Sequence, residues 1–186
     1  MTTYQSNINY AIHHAQIAKP AEVAEERLVR AILENVYPVN STLPGERDLA
    51  SQLGVTRPTL RETLQRLERD GWVEISQGKP TRVRDYLKEG SLGVLKTIAR
   101  YPDHFPQNFI PDLLTVRLAM APTYTALAVE KFPNEVVRFF QDHHTLQNEP
   151  NTYAVFDWQL HHSLTILSDN PVFVMILNGF KELYLQ

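Results

Sequence analysis

The 186-residue chain contains no cysteine, so neither a disulfide framework nor a thiolate metal site is available to it. It also lacks an apolar run of membrane-spanning length, and its N-terminus has no basic segment followed by an apolar one. The expected setting is therefore the cytoplasm, with no membrane partner. Charge of one sign is scarce as well: the formal net charge is −3, which argues against a general nucleic-acid binder. What charge there is lies unevenly. Between Thr56 and Arg84 there are seven basic and four acidic residues, and from Tyr86 to the end seven basic and ten acidic. Basic charge is thus concentrated in one short stretch, as phosphate binding requires. With 43% hydrophobic residues the chain can build one modest core or two small ones.

That stretch lies within Leu43 to Val83, which reads as two short helices followed by a hairpin, the layout of a winged helix-turn-helix. Leu49 and Leu53 mark one side of the first helix, and Gly54 permits the left-handed turn after it. The second helix opens at Thr56, whose hydroxyl suits a free first-turn amide, and Pro58 sits where its missing amide costs nothing. Leu60, Leu64 and Leu67 recur at helical spacing and face inward, leaving Arg57, Arg61 and Gln65 outside. An arginine fork matches both phosphate oxygens and the paired acceptors of a guanine edge, so such a face suits a major groove. Strands are expected near Trp72–Ile75 and Thr81–Val83 around a Gln77-Gly78-Lys79-Pro80 tip. A solvated helix face and an ordinary hairpin remain the plain alternative for each charge taken singly.

The run from Leu43 to Trp72, L-P-x-E-R-x-L-A-x-x-L-G-V-T-R-x-T-L-R-E-x-L-x-R-L-x-x-D-G-W, resembles the DNA-binding domain of the GntR family of bacterial regulators. Gln77-Gly78-Lys79-Pro80-Thr81, Leu113-Leu114-Thr115-Val116-Arg117 and Ile176-Leu177-Asn178-Gly179 are similar to the FadR subfamily within it, over residues 24 to 186. The resemblance implies DNA contacts at Arg47, Thr56, Arg57, Thr59, Arg61, Gly78 and Lys79. Two positions depart from the subfamily pattern: Pro58 stands for a hydroxyl residue and Gln77 for a histidine at the wing tip. A shifted operator preference is the expected consequence.

Outside the motif, Pro20 to Val36 reads as a supporting helix with Ala24, Leu28, Ala31 and Ile32 on one face, and residues 1–19 as an extension without assigned function. A linker helix is expected at Tyr86–Arg100, then helices near Asp112–Lys131, Asn134–Gln147, Tyr153–Ser168 and Pro171–Leu185, with Pro122 kinking or interrupting the first of these four. The expected class is mainly α with a small β-hairpin wing. It divides into a winged head at 20–85, a linker helix and loop at 86–105, and an antiparallel helical effector domain at 106–186. By the resemblance that domain continues past Tyr184, so it reads as incomplete.

The same resemblance implies an interior that holds a long-chain acyl-CoA effector, with no cofactor required. Candidate contacts are Leu114, Arg117, Leu118, Phe156 and Leu160, each equally well explained as core. It further implies a homodimer on a palindromic operator that represses degradation genes and activates unsaturated fatty acid synthesis, with acyl-CoA favouring release. A second effector chemistry stays open: Asp157 and His161 stand four apart on one helix and look like half of a metal site that would hold a metal-bound carboxylate. His162 points off that face, and His143 and His144 have no spacing that demands a ligand role. A DNA-binding fragment blind to any effector is the remaining alternative. No enzyme is expected: Ser163 beside His162 is adjacency in sequence only, since helix neighbours point about 100° apart.

Overall fold

A computed structural model of the chain describes residues 19–142 and 149–184. The expectations for residues 1–18, His143 and His144 lie outside the described residues. The chain divides into two compact units between Glu89 and Gly90.

The first unit begins with α1, Pro20–Leu33, entered through an extended Lys19 and a proline at its first position. Its buried stripe is Ala21, Ala24, Leu28, Val29 and Ile32. Ala31, expected there, is only half-buried. Helix α2, Glu46–Leu53, buries Leu49, Ala50 and Leu53 and ends on Gly54 at φ 67°, the left-handed cap that the sequence predicts. Arg27 of α1 donates to the Leu53 carbonyl at 2.9 Å, pairing one acceptor that the helix end leaves free. Helix α3, Arg57–Asp70, opens with the Thr56 hydroxyl accepting from the Thr59 amide at 3.3 Å. It buries Leu60, Thr63, Leu64 and Leu67. Thr63 Oγ1 donates to the Ala21 carbonyl at 3.2 Å and so ties α3 to α1 across the core.

Behind α3 the chain turns at Gly71, φ 99°, and buries Trp72 completely, with its ring 4.7 Å from that of Tyr86. The hairpin is shorter than expected: β1, Val73–Glu74, pairs antiparallel with β2, Arg82–Val83, in the register Val73↔Val83 and Glu74↔Arg82. Its other edge is covered by residues 40–43, where Asn40 donates to the Val83 carbonyl, Val83 to Ser41 and Leu43 to Thr81 at 2.8–2.9 Å. An otherwise open strand edge is thereby paired. Arg82 reaches Glu74, Asn40 and Glu89, anchoring the base of the wing while its tip projects. Tyr86–Glu89 forms a single-turn α4.

The second unit is helical. The single linker helix expected over Tyr86–Arg100 is in fact two pieces, because Ser91 adopts an extended backbone and its hydroxyl accepts from the Gly93 amide at 3.0 Å, starting α5, Leu92–Ile98. Helix α6, Phe109–Lys131, runs through Pro122 without interruption. Pro122 and Leu118, whose carbonyl loses its partner, are both exposed, so water can take up that acceptor. Helices α7, Pro133–Asp142, α8, Pro150–Leu167, and α9, Pro171–Tyr184, follow. Three residues join α8 to α9, where Asp169 takes φ 57° and the Asn170 side chain accepts from the Val172 amide at 3.0 Å. Short connections of this kind set helices antiparallel.

Helix α8 packs on both α6 and α9, and α5 packs on α9. One core cluster joins Tyr124, Ala128, Val136 and Leu164, and a second joins Trp158, Leu177 and Phe180. No helix of the described residues is long and apolar enough to cross a membrane.

Candidate nucleic-acid interface and effector cavity

With Leu60, Leu64 and Leu67 turned inward, the opposite face of α3 presents Arg57, Arg61 and Gln65 to solvent. Thr56 and Thr59 stand at its start, their hydroxyl oxygens 2.8 Å apart. Arg47, in the first turn of α2, has 88% of its side chain exposed, and its Nε lies 3.2 Å from Asp48 Oδ1. At the wing tip Gly78 has φ 73° and open space where a Cβ would stand, and Lys79 beside it is exposed. A side chain at position 78 would therefore be strained by the backbone rather than by its neighbours.

The arginines are not bare charges. Arg61 Nε lies 3.1 and 2.9 Å from the two carboxylate oxygens of Glu46, and its Nη2 lies 2.9 Å from Oε2. Arg57 Nη2 approaches the same oxygen at 3.5 Å. The hydrogen bond from Arg61, aided by the positive charges of both arginines and opposed by partial burial, holds the Glu46 carboxyl below the usual carboxylate range. Arg61 is raised by the same bond. The carboxylate also sits in the first turn of α2, where the helix dipole favours negative charge.

In the helical unit a cavity of about 210 Å³ is bordered by Ile110, Leu113, Leu114, Arg117, Ala154, Asp157 and Leu183. Of the predicted effector contacts, Leu114 and Arg117 border it. Phe156 instead packs on Phe139, with ring centroids 5.7 Å apart, Leu160 packs on the Tyr124 cluster, and Leu118 is 74% exposed. A polar chain starts in the cavity wall. Arg117 donates from Nη1 and Nη2 to the two Asp157 oxygens at 2.7 and 2.6 Å, and Nη2 lies 2.6 Å from His161 Nε2. Because a guanidinium only donates, that ring nitrogen must be an acceptor, so Nδ1 carries the proton and donates to the Tyr124 oxygen 2.6 Å away. Burial first, then the adjacent Arg117, pushes the His161 pKa down against the pull of Asp157. Both proposed metal ligands thus face a guanidinium, and a cation there would have to displace it. Among the described residues no three His, Cys, Asp or Glu side chains converge as a metal set. His162 stacks on Trp158 at 5.2 Å, away from this chain.

Residues 20–83 match the family model described as bacterial regulatory proteins of the gntR family, and residues 84–186 match the FadR C-terminal domain. The fatty acid metabolism regulator protein of Shewanella frigidimarina is 46% identical over 166 residues, which are 89% of this chain and 69% of the relative. That of Shewanella halifaxensis matches equally, at 46% over the same shares. The chain belongs to the GntR family, in the branch with a FadR C-terminal domain. Among solved structures, that of Lar, which controls expression of the Listeria monocytogenes agr system, is 16% identical with a TM-score of 0.50, covering 89% of this chain and 73% of that one. It supports the fold. As a GntR-type protein the chain is a DNA-binding transcription regulator and not an enzyme.

Within this GntR member, the sequence left two contributors unnoticed. Glu46 belongs to the family run, yet no spacing rule joins it to Arg61, fifteen residues on and in another helix. Tyr124 carries no signal of its own in the sequence, but its hydroxyl closes the polar chain to His161, thirty-seven residues away.

Proposed function

We propose that this chain regulates fatty acid metabolism as a homodimer that places two winged heads on a palindromic operator and leaves it when a long-chain acyl-CoA binds the helical unit. The observation that carries this reading is the 46% identity to fatty acid metabolism regulators, continuous through both units. In the head, Arg57 and Arg61 enter the major groove behind the Thr56 and Thr59 hydroxyls, Arg47 meets the backbone, and Gly78 and Lys79 bring the wing onto the duplex. Two heads on one symmetric dimer explain a palindrome, since each subunit reads a half-site. In the helical unit the apolar walls of the cavity, from Ile110, Leu113 and Leu114, suit an acyl chain, worth roughly 0.8 kcal/mol for each methylene buried. The cavity is smaller than the roughly 300–1,000 Å³ of a typical ligand pocket, so it takes only part of such a chain. An effector changes DNA affinity only by binding the released arrangement better than the bound one. Repression of degradation genes and activation of unsaturated fatty acid synthesis complete the role.

The test is a titration of the full chain against duplexes that it selects from a randomised pool, at two salt concentrations, with and without saturating oleoyl-CoA. Specific binding that the ligand relieves supports the whole reading. Specific binding that ignores it removes the effector, and no specific binding removes the head.

A further inference from the structure

Glu46 is an acidic residue placed in the middle of the face that must approach a polyanion. A carboxylate there repels phosphate, yet it is held by two hydrogen bonds from Arg61 and lies within ion-pair distance of both arginines. The geometry resolves the contradiction. Glu46 engages the Nε and Nη2 side of Arg61, which leaves free the Nη1 hydrogens and the second Nη2 hydrogen of a five-donor group. Those remaining donors lie along the end of the guanidinium plane and form the parallel pair that matches O6 and N7 of a guanine. A long side chain with 58% exposure would otherwise sample many rotamers. The 3.5 Å approach of Arg57 Nη2 gives the carboxylate a second arginine, so both reading side chains are indexed to one point on α2.

We propose that Glu46 is a positioning residue that sets operator specificity: it aims the Arg61 fork at a base edge and, by its charge, weakens binding of the head to non-operator DNA. This rests on the DNA-reading head proposed above. Affinity for phosphate and discrimination between sequences are therefore adjusted in opposite directions by one side chain. A residue that merely held α2 against α3 would change neither the preference among duplexes nor the salt dependence of each.

The experiment measures affinity of the full chain for a duplex it has selected and for a scrambled one, at two salt concentrations, in wild type, Glu46→Ala, Arg61→Ala and the double variant. Glu46→Ala is expected to bind the scrambled duplex more tightly and with a steeper salt dependence. Its selected-over-scrambled ratio should fall about tenfold or more, within the range that one bidentate base contact contributes. The double variant should discriminate no worse than Arg61→Ala alone, because the two residues act through one contact. Glu46→Gln keeps the length and one acceptor without the charge, and should lie between wild type and Glu46→Ala. It carries the test should the alanine variant lose its cooperative melt. A ratio within twofold of wild type in Glu46→Gln and Glu46→Ala, or losses that simply add in the double variant, would overturn the proposal. A wild-type chain with no preference for its selected duplex overturns the reading head and this proposal together, whereas a preference lost only in Arg61→Ala overturns this proposal alone.

Discussion

Replacing Arg117 with methionine removes the guanidinium that ties α6 to α8 while keeping an unbranched apolar stem. Two charge-assisted bonds to Asp157, at 2.7 and 2.6 Å, are lost along with the contact to His161 Nε2. Bonds to charged groups contribute about 1.5–3 kcal/mol each when well buried. Here the two side chains keep 25% and 34% of their exposure, so solvent screening brings the pair toward the ~0–1 kcal/mol of surface pairs. Between these limits Arg117→Met should cost roughly 1–3 kcal/mol, much of it from leaving the Asp157 carboxylate half-buried and unpaired. Converting Asp157 to leucine as well removes the orphan, and the double variant should recover part of the loss. Urea unfolding followed by fluorescence reads this by unit, since the only two tryptophans are Trp72 in the head and Trp158 in the bundle. A cost below about 0.5 kcal/mol, or a double variant no better than Arg117→Met, would refute the view that this pair is a structural tie rather than a loose surface contact.

His161 is neutral in the fold with its pKa lowered, whereas the unfolded chain titrates near 6.5. Below about pH 6.5 the unfolded state therefore binds more protons, so the histidine's contribution is complete above that value and declines as pH falls toward the lowered folded value. His161→Phe should show a shallower loss of bundle stability between pH 7 and 5 than wild type, and identical profiles would contradict the assignment. Gly54→Ala should destabilise the head by about 1–2 kcal/mol through its φ of 67° alone, because the nearest atom to a new Cβ is Arg27 Nη1 at 3.7 Å. A melt unchanged in that variant would mean that the turn relaxes to another conformation. Lys79→Ala, at the exposed wing tip, should weaken DNA binding for all sequences alike and reduce the salt slope by about one. A slope that stays the same would place Lys79 off the phosphates.

The elements of the head were legible in the residues alone, because their signals are short-range. Leu60, Leu64 and Leu67 fix which face of α3 is buried, Thr56 caps its start, and Gly54 and Gly71 supply the two left-handed turns. Each needs only its neighbours within a turn or two, which is why the exposed arginines fell where the spacing put them. Boundaries in the helical unit were less legible. Ser91 split the linker helix by bonding the Gly93 amide, and Pro122 left α6 whole because the carbonyl it strands is on an exposed face. The partners of the charged groups were set by the packing of helices distant in sequence. Glu46 meets Arg61 across fifteen residues, and Arg117 meets Asp157 across forty, through the docking of separate helices. Periodicity says which side of a helix faces inward but not which residue of another helix it will find there. The same docking set the Asp157–His161 pair against Arg117 and placed the Glu46 carboxylate beside the reading arginines.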